Sequence, residues 1–251
     1  MIRPLGQYVP RRPHRLNGPF VAMMLNGLHD FHRGRVFVLE VGAGRGEGKL
    51  PLRQRLTDDG WSGLLIEPHP ANFAALEALH AESDRVAVLN LGISDVSANL
   101  PLHALTDEGA GRNRRLPPHR ASLIRDRIAA PDADVEAVEV PFLRMDAVLG
   151  ELGIDSAALV VINAGGHEEQ VLRSFDIARL DPSLLLLDIT PDTLAETNAV
   201  AILTEAQLLP FRIGNWLVGL APDRLAVPLE EILTFFRRGI GAGDAAEEAE
   251  E

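Results

Sequence analysis

The stretch "EVGAGRGEGKL", residues 40–50, sets an acid, Glu40, two positions ahead of the first of four alternating glycines, Gly42, Gly44, Gly46 and Gly48. Glycine accepts positive φ without penalty and lets a ligand approach the main chain, so such a turn after apolar "VFVL" suits a nucleoside-like group. Two phosphate-holding templates fail here. A P-loop requires G-x-x-x-x-G-K followed by Ser or Thr. Counting back from Gly48-Lys49 puts Ala43 at the first glycine position, and Leu50 stands where the metal-binding hydroxyl belongs. The dinucleotide fingerprint G-x-G-x-x-G begins at Gly42 and Gly44, but Glu47 occupies its third glycine position, where a carboxylate would repel a pyrophosphate.

A third template, E/D-x-G-x-G-x-G, belongs to binders of S-adenosylmethionine, and "EVGAGRG" meets each specified position with Glu40, Gly42, Gly44 and Gly46. That ligand carries no phosphate; its ammonium and sulfonium favour a carboxylate at the end of the first strand. A second acid, Glu67 in "LLIEPHP", ends the next apolar run. A carboxylate there can accept from both ribose hydroxyls, with charge-assisted bonds worth about 1.5–3 kcal/mol. Glu67 would serve a NAD site equally well; Glu40 and the missing third glycine separate the two. The ligand-free alternative for the turn alone is a tight strand-to-helix connection.

These residues need a scaffold. From about residue 35 to 220, apolar runs ("VFVLEV", "GLLIEP", "VAVLNLGI", "ALVVINAG", "SLLLLDIT", "FRIGNWLVGLAP") alternate with amphipathic stretches ("NFAALEALHAES", "HEEQVLRSFDIARL", "LAETNAVAILTEAQLL"). That alternation predicts an α/β fold with a mainly parallel, doubly wound sheet. Residues 100–145 break the rhythm: "NLPLHAL" and "VEAVEVPFL" predict a small β-ribbon. Between them, "TDEGAGRNRRLPPHRASLIRDR" reads either as a lid over a cleft or as a solvated loop. The expected organisation is a basic, proline-rich arm over 1–34, a ligand-binding domain over 35–222 with its insertion, a helix over 223–240 and an acidic, disordered tail over 241–251.

Composition narrows the function classes. The chain has 251 residues, no cysteine and a formal charge of −12. Disulfides and thiolate metal sites are excluded, and a reducing, cytoplasmic setting is expected. The acidic balance argues against nucleic acid as a partner, and no apolar run approaches membrane-spanning length.

Taken in order, "VFVLEVGAGRG", "LLIEPHPANFAAL", "VAVLNLGISD", "ASL" (121–123), "VPFLRMDAVL" and "LVVINAGGHEEQVLRSF" resemble the FkbM family of S-adenosylmethionine-dependent methyltransferases over about residues 36–190. The resemblance implies a seven-stranded, Rossmann-like methyltransferase sheet and O-methylation of a small-molecule or glycan acceptor. It would place the methionine end on Glu40, Gly42, Ala43, Gly44 and Gly46, the ribose on Glu67, and the adenine beside Ile93, Ser94 and Asp95. Asp95 would accept from the adenine amine or simply solvate a turn; His69 would cover the adenine or only turn the chain.

One segment departs from the family pattern. Where relatives read K-I-D-x-E-G-x-E, this chain reads "VINAGGHE", with Asn163 and Gly165 in place of acids. An amide cannot act as a base, so His167 and Asp188 become the candidates, with Asn163 beside them. A divalent cation on Asn163, Glu168 and Asp188 is conceivable but not favoured, because a helix cap and a first-turn carboxylate account for Asn163 and Glu168. Six arginines, Arg112, Arg114, Arg115, Arg120, Arg125 and Arg127, either greet an anionic acceptor or face solvent. The alternative to an enzyme is a catalytically impaired binding module with an assembly role. A nicotinamide oxidoreductase lacks a Tyr-x-x-x-Lys pair, since Lys49 is the sole lysine.

Overall fold

Runs such as "FVLEV" and "LLLLD" have almost no polar face to give to solvent, which suits strands covered on both sides. The computed structural model describes residues 17–46, 50, 52–105, 121–124, 135–191, 193–228, 230–232 and 234. Its strands are β1 (Phe37–Val41), β2 (Ser62–Ile66), β3 (Val86–Leu89), β4 (Gly92–Ile93), β5 (Ala98–Leu105), β6 (Ala121–Ser122), β7 (Val135–Leu143), β8 (Leu159–Ile162), β9 (Leu184–Asp188), β10 (Leu209–Ile213) and β11 (Trp216–Leu220). Seven of them form one sheet in the order β10-β11-β9-β8-β1-β2-β3. Neighbours are parallel except around β11, which runs antiparallel to both β9 and β10. The expected doubly wound sheet of seven strands is therefore present.

Alternation along β1 divides the core. Val38 faces one side, packed with α1 (Asn17–Phe31), α2 (Leu52–Thr57) and α3 (Pro70–His80) through Met24, Leu28, Leu56 and Leu76. Leu39 faces the other, against α4 (Met145–Leu152), α5 (Glu168–Arg173), α6 (Ile177–Leu180) and α7 (Leu194–Glu205) through Met145, Val171, Leu180 and Leu203. From β1 the chain winds one way to β2 and β3; it later returns to the other side of β1 with β8 and β9. Ligands of open α/β sheets settle at such a reversal, beyond the carboxyl ends of the strands.

Three findings go beyond the sequence reading. Within the segment read as an arm, residues 17–31 form a core helix: Phe20, Met24 and Leu28, one helical turn apart, are all fully buried. The run "VAVLNLGI" divides, β3 staying in the main sheet while β4 leaves to pair with β7. "FRIGNWLVGLAP" is a hairpin, reversing at Gly214 with φ +57°. The ribbon of the insertion is the long antiparallel pair β5–β7, in register from Ala98–Phe142 to Leu105–Val135, and it belongs to a second sheet ordered β4-β7-β5-β6.

Residues 1–16 of the arm, the six arginines and most of the expected lid, Glu47 to Lys49, and the tail lie outside the described residues. Of the expected closing helix, 230–232 and 234 are helical, and Ile232 joins the core. Among the described residues no helix is long and apolar enough to cross a membrane.

Candidate functional site

A cavity of about 370 Å³ opens beyond the carboxyl ends of β1, β2, β8 and β9, within the range of small-molecule sites. The glycine turn forms one wall, and its glycines do separate jobs. Gly42 has φ +77°, and a Cβ there would lie 1.9 Å from the carbonyl oxygen of Asn163, so this glycine lets the loops after β1 and β8 touch. Gly46, at φ +75°, would drive a Cβ to 2.6 Å from Leu79 on α3. Gly44, at φ +61°, would meet nothing within 4 Å; it lines the cavity, and its missing side chain leaves that space to a ligand.

Glu67 follows β2 and is buried at the cavity's edge. Its Oε2 accepts from Gly44 N–H at 2.8 Å, and its Oε1 accepts from His69 N–H at 3.0 Å and Asn72 Nδ2 at 3.3 Å. Burial pushes its acid up from the ordinary value, while those three donors pull it back. The carboxylate thus ties the glycine turn to the start of α3. His69 itself is the N-cap of α3, its Nδ1 accepting from Asn72 N–H at 3.4 Å, and it does not line the cavity.

Glu40 sits elsewhere. It shares a face of β1 with Val38 and lines a much smaller pocket behind the turn with Ala43, Gly46, Arg53, Leu56 and His80. Among the described residues no donor hydrogen-bonds its carboxylate. Burial first, and the charge of Glu67 second, push its acid from 4.5 up to about 8.

The opposite wall of the cavity comes from the loop after β8 and the second sheet. Asn163, exposed in the cavity mouth, donates its backbone N–H to Val41 O at 2.9 Å. Gly165 and Gly166 both have positive φ. A Cβ on Gly165 would stand 3.2 Å from Ala121 O, and Ser122 Oγ donates to Gly165 O at 2.7 Å. A side chain at 165 would crowd β6 by a few tenths of an ångström; its absence lets Ala121 and Ser122 pack on this loop.

His167 caps α5 without a side-chain cap bond, and its Nε2 lies 2.9 Å from Ser94 Oγ. Its ring meets Phe142 edge-on at 6.2 Å. Burial pushes the imidazole below 6.5, and the charge of Asp95 pulls it partly back, which leaves it neutral near pH 7. Asp188, at the end of β9, lines the same cavity. Glu168 is buried, its Oε1 accepting from Gly166 N–H at 2.9 Å. Among the described residues no three His, Asp or Glu side chains gather as a cation site.

The structure therefore brings Gly42, Gly44, Glu67, Asn163, His167 and Asp188 to one cavity. Ala43, Gly46 and Glu40 stand behind it, and Ser94 and Asp95 stand beside His167 rather than in the lining. Sequence reasoning missed the lining contributed by Leu102 and Phe142, whose alternating strands signalled a ribbon but not what it covered. The residues present fit S-adenosylmethionine at two points: a glycine open to the cavity and a carboxylate at its edge.

The family model described as "Methyltransferase FkbM domain" matches residues 40–238. A search of curated proteins gives no match. Among solved structures, methyltransferase FkbM from Methylobacillus flagellatus KT is 15% identical with TM-score 0.46, covering 75% of this chain and 44% of its own. This chain thus spans less than half of that protein's length. Precorrin-6y C5,15-methyltransferase from Geobacter metallireducens GS-15 is 14% identical with TM-score 0.41, covering 81% of this chain and 88% of its own. Aeropyrum pernix fibrillarin, solved with natively bound S-adenosyl-L-methionine, is 10% identical with TM-score 0.42, covering 83% and 76%.

Proposed function

The chain belongs to the FkbM methyltransferase family, and from that premise we propose that it transfers the methyl group of S-adenosylmethionine to a hydroxyl oxygen of a small-molecule or saccharide acceptor. One observation carries the reading: a single cavity has Gly42, Gly44 and Glu67 on one wall and Asn163, His167 and Asp188 on another. When bound, S-adenosylmethionine supplies a methyl carbon activated by positively charged sulfur. Gly44 and Glu67 would hold it. Glu67 accepts three hydrogen bonds from protein donors, and a carboxylate has about four acceptor positions, so one is left for a ribose hydroxyl.

His167 is the base in this reading. Methyl transfer to a hydroxyl needs the O–H proton removed as the new bond forms, and a neutral imidazole receives it near pH 7. Asn163 and Asp188 orient the acceptor through an amide and a carboxylate at the ends of adjacent strands, where positioning shortens the search for an in-line geometry. The setting is proposed to be cytoplasmic.

A thermal-shift series with S-adenosylmethionine, S-adenosylhomocysteine and NAD tests the cofactor. The first two raise the melting temperature, NAD does not, and Glu67→Ala abolishes the effect. Stabilisation by NAD alone, or by none of the three, overturns the reading. His167→Ala then keeps S-adenosylhomocysteine binding and loses turnover with pooled hydroxyl acceptors. A second reading, a binding module that no longer transfers methyl groups, draws on Asn163 and Gly165 replacing the acids of the family pattern. Tight S-adenosylhomocysteine binding without methylation of any pooled acceptor favours it.

A further inference from the structure

Among the described residues two histidines stand at helix N-caps, and their rings are used differently. His69 turns its Nδ1 to the helix, accepting from Asn72 N–H. His167 makes no such bond; its Nε2 pairs with Ser94 Oγ at 2.9 Å, and Ser94 Oγ lies 3.2 Å from Asp95 Oδ1. An ionised carboxylate only accepts, and a hydroxyl has one proton to give. The Ser94 proton therefore goes to Asp95, and the Ser94 oxygen is left to accept from His167 Nε2–H. That direction of donation puts the proton on Nε2 and the lone pair on Nδ1. Among the described residues nothing hydrogen-bonds that Nδ1.

We propose that Ser94 and Asp95 are positioning residues that hold His167 as the Nε2–H tautomer and so keep its Nδ1 lone pair free to receive the acceptor's proton. The proposal rests on His167 being the base. The surroundings are built for it. Ser94 is 1% exposed, so water does not compete for its oxygen, and its N–H donates to Leu143 O at 2.9 Å. Arg144 Nη1 donates to the Asp95 carbonyl at 2.9 Å, and the Phe142 ring backs the imidazole. Once Nδ1 is protonated, Nε2–H still donates to Ser94, and Asp95 supplies the opposing charge. The other charged groups around the ring are Arg144, paired with Asp146; Glu168 on its own helix; and Asp188 and Glu67 on other parts of the cavity wall. This gives Asp95 a duty other than reading adenine, and it is absent from the cavity lining.

The test reads ring nitrogens by NMR in the full chain labelled with ¹⁵N-histidine, with His167→Gln for assignment, across a pH titration. The wild-type protein shows the Nε2–H tautomer at neutral pH. Ser94→Ala loses that preference and Ser94→Thr restores it. Asp95→Ala relaxes the tautomer and lowers the pH at which the ring protonates. A wild-type Nδ1–H tautomer, a preference untouched by Ser94→Ala, or no restoration by Ser94→Thr overturns the proposal. So does a loss of S-adenosylhomocysteine affinity of about tenfold or more in Asp95→Ala with the tautomer unchanged, the mark of a lost hydrogen bond to the ligand. The tautomer readout needs neither cofactor nor acceptor, so its failure is a separate result from failure of ligand-induced stabilisation.

Discussion

Glu40 and Glu67 are both acids at strand ends, yet their surroundings give them different work. Glu67 has three donors and holds the turn; Glu40 has no donor among the described residues and an acid raised to about 8. A folded-state value above the unfolded one means the native state binds the proton more tightly. Its contribution to stability is then complete below about 4.5 and lost as pH rises through about 8. Glu40→Gln, which mimics the protonated form, should flatten this. The difference in melting temperature between wild type and Glu40→Gln should move in the variant's favour from pH 5 to about pH 8. His32, His80 and His167, all lowered by burial, act oppositely, losing stability as pH falls below 6.5; His32 and His167, outside the Glu40 pocket, cancel in that difference. A difference constant with pH would show that Glu40 is ionised throughout. Glu40 was legible as an acid in the right place of a motif. Its separation from the main cavity follows from strand alternation, which the motif alone does not express.

Among the elements, the glycine turn and the first helix make opposite demands. Gly42 and Gly44 look interchangeable in "GAG", but only Gly42 abuts another loop. Gly42→Ala should cost well over 1 kcal/mol of stability, because both the positive φ and the Asn163 carbonyl oppose a Cβ. Gly44→Ala should cost about 1 kcal/mol, the price of the left-handed backbone, while placing a methyl group in the cavity and weakening S-adenosylhomocysteine binding more than it weakens the fold. Denaturant unfolding and calorimetric titration of the two variants separate these effects; equal profiles would contradict the assignment. In α1, Met24→Ala should destabilise by about 2–5 kcal/mol by opening a cavity beside Leu28 and the main sheet, measured by chemical unfolding. The basic, proline-rich start of the chain masked this helix, although Phe20, Met24 and Leu28 carry its period in plain view.

For the molecule as a whole, two sheets meet around one cavity. The main sheet carries the glycine turn, Glu67, Asn163 and Asp188; the second sheet adds Leu102, Ser122 and Phe142 and braces His167 through Ser94. A ligand held between them stabilises both at once. Saturation to a hundred times the dissociation constant is worth about 2.7 kcal/mol, and for a domain of this size should raise the melting temperature by about 5–10 °C. A shift seen with S-adenosylhomocysteine but absent in Glu67→Ala would locate the effect at this cavity.

What the amino-acid order determined by itself is what short range can express: alternating apolar runs that must be covered on two faces, acids at the ends of three of them, and glycines where the turn after the first run takes positive φ. These signals span a few residues, and they were enough for the sheet and for one wall of the cavity. The tertiary structure alone decided that Ser94 meets His167 across 73 positions, that Ser122 settles on Gly165 across 43, and that the ribbon roofs the site. No local pattern encodes such contacts, because their energy exists only once the sheets have brought distant segments within hydrogen-bonding reach.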